Sequence, residues 1–148
     1  MVRKTYWAIV QGRVTPDVGV WSDFHRKTPG EAKAELVPAE HPEGKPAILK
    51  YQIIQSTQEL TWLEIELETG RTHQIRVQAA TRGHPILGDG LYGSTHNFGP
   101  MTDDERQQWI ALHARSITFN HPMTREPVSV VAPLLEPWRG VEPSGYER

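Results

Sequence analysis

The sequence contains no cysteine. That absence excludes a disulfide framework, a thiolate nucleophile, a redox pair and every zinc site that depends on sulfur, leaving only histidine and carboxylate donors for any metal. Long hydrophobic runs are missing too. The apolar stretch 7–10 falls far short of the roughly 20 residues a membrane-spanning helix needs, and the N-terminus has no signal-peptide apolar core. A cytoplasmic protein with no membrane partner is expected. An excess of one charge is also lacking: sixteen Lys and Arg against eighteen Asp and Glu leave a formal net charge of −2. A nucleic-acid surface therefore has to be a local patch. The 148 residues leave room for one domain, since single domains cluster at about this size. Plentiful instead are glycine and proline, twelve of each, which point to many turns between short elements rather than to a helical bundle.

Hydrophobic patterning predicts a mixed α+β fold with a largely antiparallel sheet and short helices. Residues 6–10 form a β-branched and aromatic run closed by Gly12, a strand signature. Residues 30–46 turn to Pro, Gly, Glu, Lys and Ala without a period and read as a surface loop inside a single domain spanning 1–148. Strands are expected over 48–54 and 63–68. The latter places Leu63, Ile65 and Leu67 on a buried face and Glu64, Glu66 and Glu68 on a wet one. Asp17 and Asp23 fall in the loop expected after the first strand. A short helix is predicted over 72–82, packing through Ile75 and Val77 and stopped by Gly83-His84-Pro85. Thr102 and Glu105 have capping-box spacing, so one or two helical turns should begin there. Runs 117–119 and 128–131 flank a longish turn and read as a hairpin; Ile117 should be buried.

Chemistry concentrates in two strings, ETGRTHQIRV over 68–77 and GHPILGDGLYG over 83–93. Arg71, His73, Arg76, Arg82 and His84 gather at a glycine-relieved junction between a strand and a helix, a geometry suited to an anion such as phosphate or carboxylate. On charge spacing alone, the competing reading is that these arginines make surface ion pairs with neighbouring glutamates. Other reaction classes lack their signatures. There is no H-E-x-x-H, and the histidines are scattered over different elements, so no metal site is expected. Ser94, His73 and Asp89 lack the G-x-S-x-G elbow of a serine hydrolase.

The two strings closely resemble the third sequence motif of RluA-type RNA pseudouridine synthases, L-x-TGR-x-HQIR-x-H followed by GHPI-x-GD and YG. Lys4, Tyr6, Ala8, Val10 and Gly12 fit that family's K-x-Y-x-A-x-V-x-G strand; Lys45-Pro46-Ala47 with Tyr51, Leu112-His113-Ala114 and Phe119-Asn120-His121-Pro122 extend the likeness. The resemblance covers most of the chain, from Arg3 to about Pro133. It implies isomerisation of uridine to pseudouridine in ribosomal or transfer RNA, with no metal or organic cofactor. An aspartate attacks the nucleoside, and the base detaches, turns and rejoins through carbon. By residue match, the catalytic positions are Tyr6, packing against the flipped uracil, and Arg76, pairing with that aspartate and holding it ionised. Ile75 would line the same pocket, while Arg71 and His73 would serve strand–helix geometry or RNA phosphates.

Two departures are smaller: Leu49 where the family often has threonine, and Gln78 where it often has histidine. One is large. The family's nucleophile lies in an H-R-L-D-x-x-T-S-G string before the K-x-Y strand, and none occurs in these 148 residues, with Met1 three residues before Lys4. No remaining aspartate has the right context; Asp89 belongs to the turn of the GD pair, and Asp103 and Asp104 suit a helix start. The resemblance therefore implies a truncated domain, inactive as this chain alone, with Arg76 left without a carboxylate partner. The alternative function is a noncatalytic RNA-binding or partner-binding fragment, in which the freed Arg76 binds phosphate. Missing strands would leave an apolar edge or face to be covered by a complementing chain or a second copy.

Overall fold

The computed structural model describes residues 2–104 and 107–139. Seven strands, β1 (Val2–Gln11), β2 (Val18–Lys27), β3 (Ala34–Val37), β4 (Lys45–Ser56), β5 (Leu60–Leu67), β6 (Leu112–Asn120) and β7 (Pro127–Val131), form one sheet in the order β3-β2-β4-β5-β1-β6-β7. Every neighbouring pair is antiparallel. Among the described residues, the sheet is accompanied by two short α-helices, α1 (Gln74–Thr81) and α2 (Glu136–Arg139), and by a 3-10 turn at Gly90–Tyr92. This is the mixed, largely antiparallel fold expected. No helix among the described residues is long and apolar enough to cross a membrane.

β1 is central and buried on both faces, which is why residues 7–10 read as an unbroken apolar run rather than an alternation. Ala8 and Val10 share one face with their partners Leu63 and Thr61, while Ile9 shares the other with Trp62. On that second face Trp62 meets Trp7 edge-on at 5.7 Å and Trp138 of α2 at 5.4 Å, and Phe98 closes against Trp138. Leu49, Leu63 and Ile65 are fully buried and belong to the same core as Ile75 and Ala79 of α1. Fully burying a side chain of this size contributes about 1.5–3 kcal/mol.

Several expectations are corrected. The expected loop 30–46 contains β3 and the first residues of β4, because β2 needs an edge partner and the Arg26 guanidinium pins Glu35 and Glu43 across it. Asp23 lies within β2 rather than in a loop, bonded to Gln78 and Arg82 of the α1 region. β5 is not wet along one side: Trp62 is buried under α2, Glu64 and Glu66 are half-buried, and only Glu68 is exposed. Leu67 and Ile117 are half-buried rather than buried, the latter because nothing in the described structure covers that part of the sheet. No α-helix runs over 107–110: Gln107 is in a 3-10 conformation with its amide donating to the Asp104 carbonyl, and 108–110 are irregular. Thr102 accepts a bond from the Asp104 amide in a local turn instead, and Glu105 lies outside the described residues.

Candidate active site

The segment after β5 is folded by its own polar side chains. Gln74 is buried; its Oε1 accepts from the Thr69 hydroxyl and the Arg71 amide, and its Nε2 donates to the Ile48 carbonyl. These bonds close the Thr69-Gly70-Arg71 turn and deliver the chain to α1. His73 stands at the helix start with φ of 52° and no side-chain cap. Helix and sheet are tied again by His25, whose Nε2 donates to the Thr72 carbonyl at 2.6 Å.

The second string is stitched along the end of β1. Gln11 donates to the Pro85 carbonyl and Leu87 to the Ile9 carbonyl, while His84 donates from Nδ1 to the Gln11 carbonyl. Gly12, at φ +80°, has the His84 ring where a Cβ would stand, 2.9 Å away. The conformation and the contact together demand glycine. Gly88, at φ +82°, turns the chain into Asp89 against the Trp109 carbonyl.

This path brings Asp89 under α1. Arg76 donates from Nε to Oδ2 at 2.9 Å and from Nη2 to Oδ1 at 2.8 Å, a bidentate pair. The Asp89 side chain has no exposure and that of Arg76 has 19 %. The hydrogen bonds that Arg76 donates to Asp89 hold the guanidinium more firmly protonated than usual. Tyr92 lies with its ring 5.1 Å from the guanidinium carbon, its hydroxyl 2.8 Å from Nδ1 of His73 and 2.9 Å from the Ala34 amide it accepts from. Burial, and then the Arg76 charge, pushes the pKa of His73 down, so its neutral form is favoured.

The structure thus overturns the expectation that Arg76 lacks a carboxylate partner. Asp89 fills that role, and it is no nucleophile itself, because its side chain is buried with both oxygens engaged. Of the five N–H groups of a guanidinium, two go to Asp89, which leaves three on the partly exposed edge. The other expected residues are dispersed. Ile75 is a core residue with 4 % exposure. Arg71 donates to the Pro46 carbonyl and so braces the turn. Tyr6 is half-buried in an open depression lined also by Lys4, Ala114, Ile117 and Val130, a lining that includes neither Arg76 nor Ile75. A β-bulge sits beside it: Thr5 pairs with Ser116 and Tyr6 with Ala114, so Arg115 is the extra residue. Bulges of this kind re-aim side chains and recur beside active sites. Sequence reasoning missed Asp89 and Tyr92 as members of the arginine's cradle, although both stand in the GD and YG pairs of the second string.

The family model for RNA pseudouridylate synthase matches residues 1–81, more than half of the chain. The chain belongs to the RNA pseudouridylate synthase family. It is similar to an uncharacterised RNA pseudouridine synthase of Synechocystis, 35 % identical over 133 residues, covering 89 % of this chain and 39 % of the relative. It is 43 % identical over 141 residues to ribosomal large subunit pseudouridine synthase D of Haemophilus ducreyi, covering 90 % and 42 %. Human RNA pseudouridylate synthase domain containing 1 shares the fold at a TM-score of 0.67 and 23 % identity, over 89 % of this chain and 54 % of the human one. The chain spans about two fifths of the length of the curated relatives it matches.

Proposed function

We propose that this chain carries the arginine and tyrosine side of an RNA pseudouridine synthase active site, and that it isomerises uridine in RNA only when a separate segment supplies the nucleophilic aspartate. The observation that carries the reading is Arg76, locked to Asp89 along one edge with three N–H groups left on the other. A carboxylate meeting that edge would be held ionised and oriented, as a nucleophile requires. In the reaction the glycosidic N1–C1′ bond breaks as the aspartate bonds to the nucleoside, the base turns and C5 joins C1′, the aspartate is released, the C5 proton leaves to solvent and N1 takes up a proton. Tyr6, opposite the β6 bulge at Arg115, stacks on the extruded base. Ile75, a core residue of α1 beside Arg76, supports the arginine from below, and Arg71 and His73 flank the path of the RNA backbone. The names of relatives that act on the ribosomal large subunit favour ribosomal RNA over transfer RNA. The isomerisation is redox-neutral and proceeds without a metal or organic cofactor.

Tritium release from RNA labelled at uridine C5 tests this directly. No release is expected from the chain alone, and release is expected on adding a chain that bears the H-R-L-D-x-x-T-S-G segment. Turnover by the 148 residues alone would refute the division of labour.

A partner-binding role is favoured by one further observation. Within the described structure β7 is an edge strand with an unpaired outer side, and Val130 and Val131 are 54 % and 58 % exposed. Such an edge pairs with a complementing segment or a second copy. Sedimentation should show self-association that the complementing chain suppresses; a stable monomer at high concentration with no capture of that chain would remove this reading.

A further inference from the structure

We propose that Tyr92 is a positioning residue for Arg76, clamping the start of α1, strand β3 and the guanidinium into one rigid unit. The inference rests on the synthase reading for its functional meaning, but its structural content stands on the geometry. A bidentate carboxylate fixes two N–H directions yet leaves the guanidinium free to swing about the axis of the pair. The Tyr92 ring, 5.1 Å from the guanidinium carbon, removes that freedom by offering a flat, electron-rich face on one side.

The hydroxyl does a second job. Its oxygen accepts from the Ala34 amide at 2.9 Å, and the His73 Nδ1 lies 2.8 Å away, with the two rings perpendicular. Neutral His73 receives the hydroxyl proton at Nδ1 and keeps its own hydrogen on Nε2. That bond anchors a helix start that has no side-chain cap and begins at a left-handed residue. Arg76 follows three residues later in the same first turn, so anchoring His73 fixes the root of the arginine while the ring fixes its tip. The free edge of Arg76 is then held in one direction before any ligand arrives, which is where positioning contributes most to a reaction.

Two variants separate ring from hydroxyl. In the wild-type 148-residue chain, nitrogen NMR should show a single His73 tautomer protonated at Nε2 and an Arg76 Nε–H protected from solvent exchange. Tyr92→Phe should convert His73 to a tautomer mixture while leaving most Arg76 protection. Tyr92→Leu should also speed Arg76 Nε–H exchange about tenfold or more. Unchanged His73 tautomer in the phenylalanine variant, or unchanged Arg76 exchange in the leucine variant, would overturn the clamp. In the complemented tritium assay, Tyr92→Leu should lower kcat at least tenfold with KM nearly constant. Altered spectra with wild-type kcat would reduce Tyr92 to a packing residue and overturn its positioning role. Absence of turnover even in the complemented wild type would sink the synthase reading alone, because the NMR comparison still decides the clamp.

Discussion

Asp89→Ala removes the carboxylate that holds two N–H groups of Arg76, and the burial of the pair sets the size of the effect. Breaking a buried ion pair by deleting one partner costs about 3–5 kcal/mol, because the survivor is left desolvated and uncompensated. The two survivors differ here. Arg76 keeps 19 % exposure, so water reaches its outer edge and Asp89→Ala should cost near the lower bound, about 3 kcal/mol. Arg76→Ala instead strands a carboxylate with no exposure and should cost about 4 kcal/mol or more. Removing both leaves a cavity but no orphan charge, so the double variant should be little worse than either single one, with a coupling of at least about 2 kcal/mol. A domain of this kind has about 5–15 kcal/mol of stability in all, so each single variant should remain foldable while losing a large share. Urea unfolding followed by tryptophan fluorescence is the assay, since Trp7, Trp62 and Trp138 are buried and report the core. Single costs below about 1 kcal/mol, or additivity within about 0.5 kcal/mol, would refute the reasoning and place the pair with ordinary surface ion pairs.

Gly88→Ala should destabilise by more than about 2 kcal/mol, because its Cβ would stand 2.1 Å from the Trp109 carbonyl oxygen at a φ of +82°. Gly70→Ala, whose Cβ meets nothing within 4 Å, is the matched control and should change stability by less than about 1 kcal/mol in the same unfolding assay. Leu63→Ala, at a fully buried core position, should cost about 2–5 kcal/mol by the same measurement. Burial and Arg76 lower the pKa of His73 below its ordinary 6.5, so the unfolded chain takes up that proton more readily than the folded one. Stability from this group is complete above about pH 6.5 and declines as the pH falls below it. His73→Gln should flatten that part of the pH profile, and an unchanged slope between wild type and variant would argue against a neutral, buried imidazole.

Strands were legible wherever one side chain in two was apolar or a β-branched run was closed by glycine, as in β1 and β5. β2 was not, because Val18, Val20 and Ser22 face solvent and its buried set is Trp21 and His25, a polar-looking string whose burial depends on α1 and on β4 beside it. β3 was hidden for a related reason: a four-residue edge strand is held by one neighbour and by ion pairs from Arg26, which composition does not register. The Thr102 and Glu105 pattern predicted a helix because a capping box marks only where one can start. With Gly99 and Pro100 just before it, and little apolar periodicity after it, nothing extends the helix beyond the 3-10 position of Gln107.

The arginine at the centre of the site was found by its motif, but its partner was not, and the reason is geometric. Helical ion-pair rules reach three or four residues along a chain, whereas Asp89 lies 13 residues beyond Arg76 and comes back only because the 85–87 segment is stitched to the end of β1. This changes what the arginine can do. A free guanidinium would attract RNA phosphate over the length of a salt-screened field, as the fragment reading required. Paired with Asp89 it is part of a neutral unit, whose long-range pull is small and whose remaining N–H groups act only at contact distance. Arg76→Ala should therefore leave the salt slope of any RNA binding by the chain nearly unchanged, or make binding weaker by exposing the site to an uncompensated carboxylate. A slope lowered by about one unit, as for loss of a phosphate-neutralising cation, would show that Asp89 releases the arginine when RNA arrives.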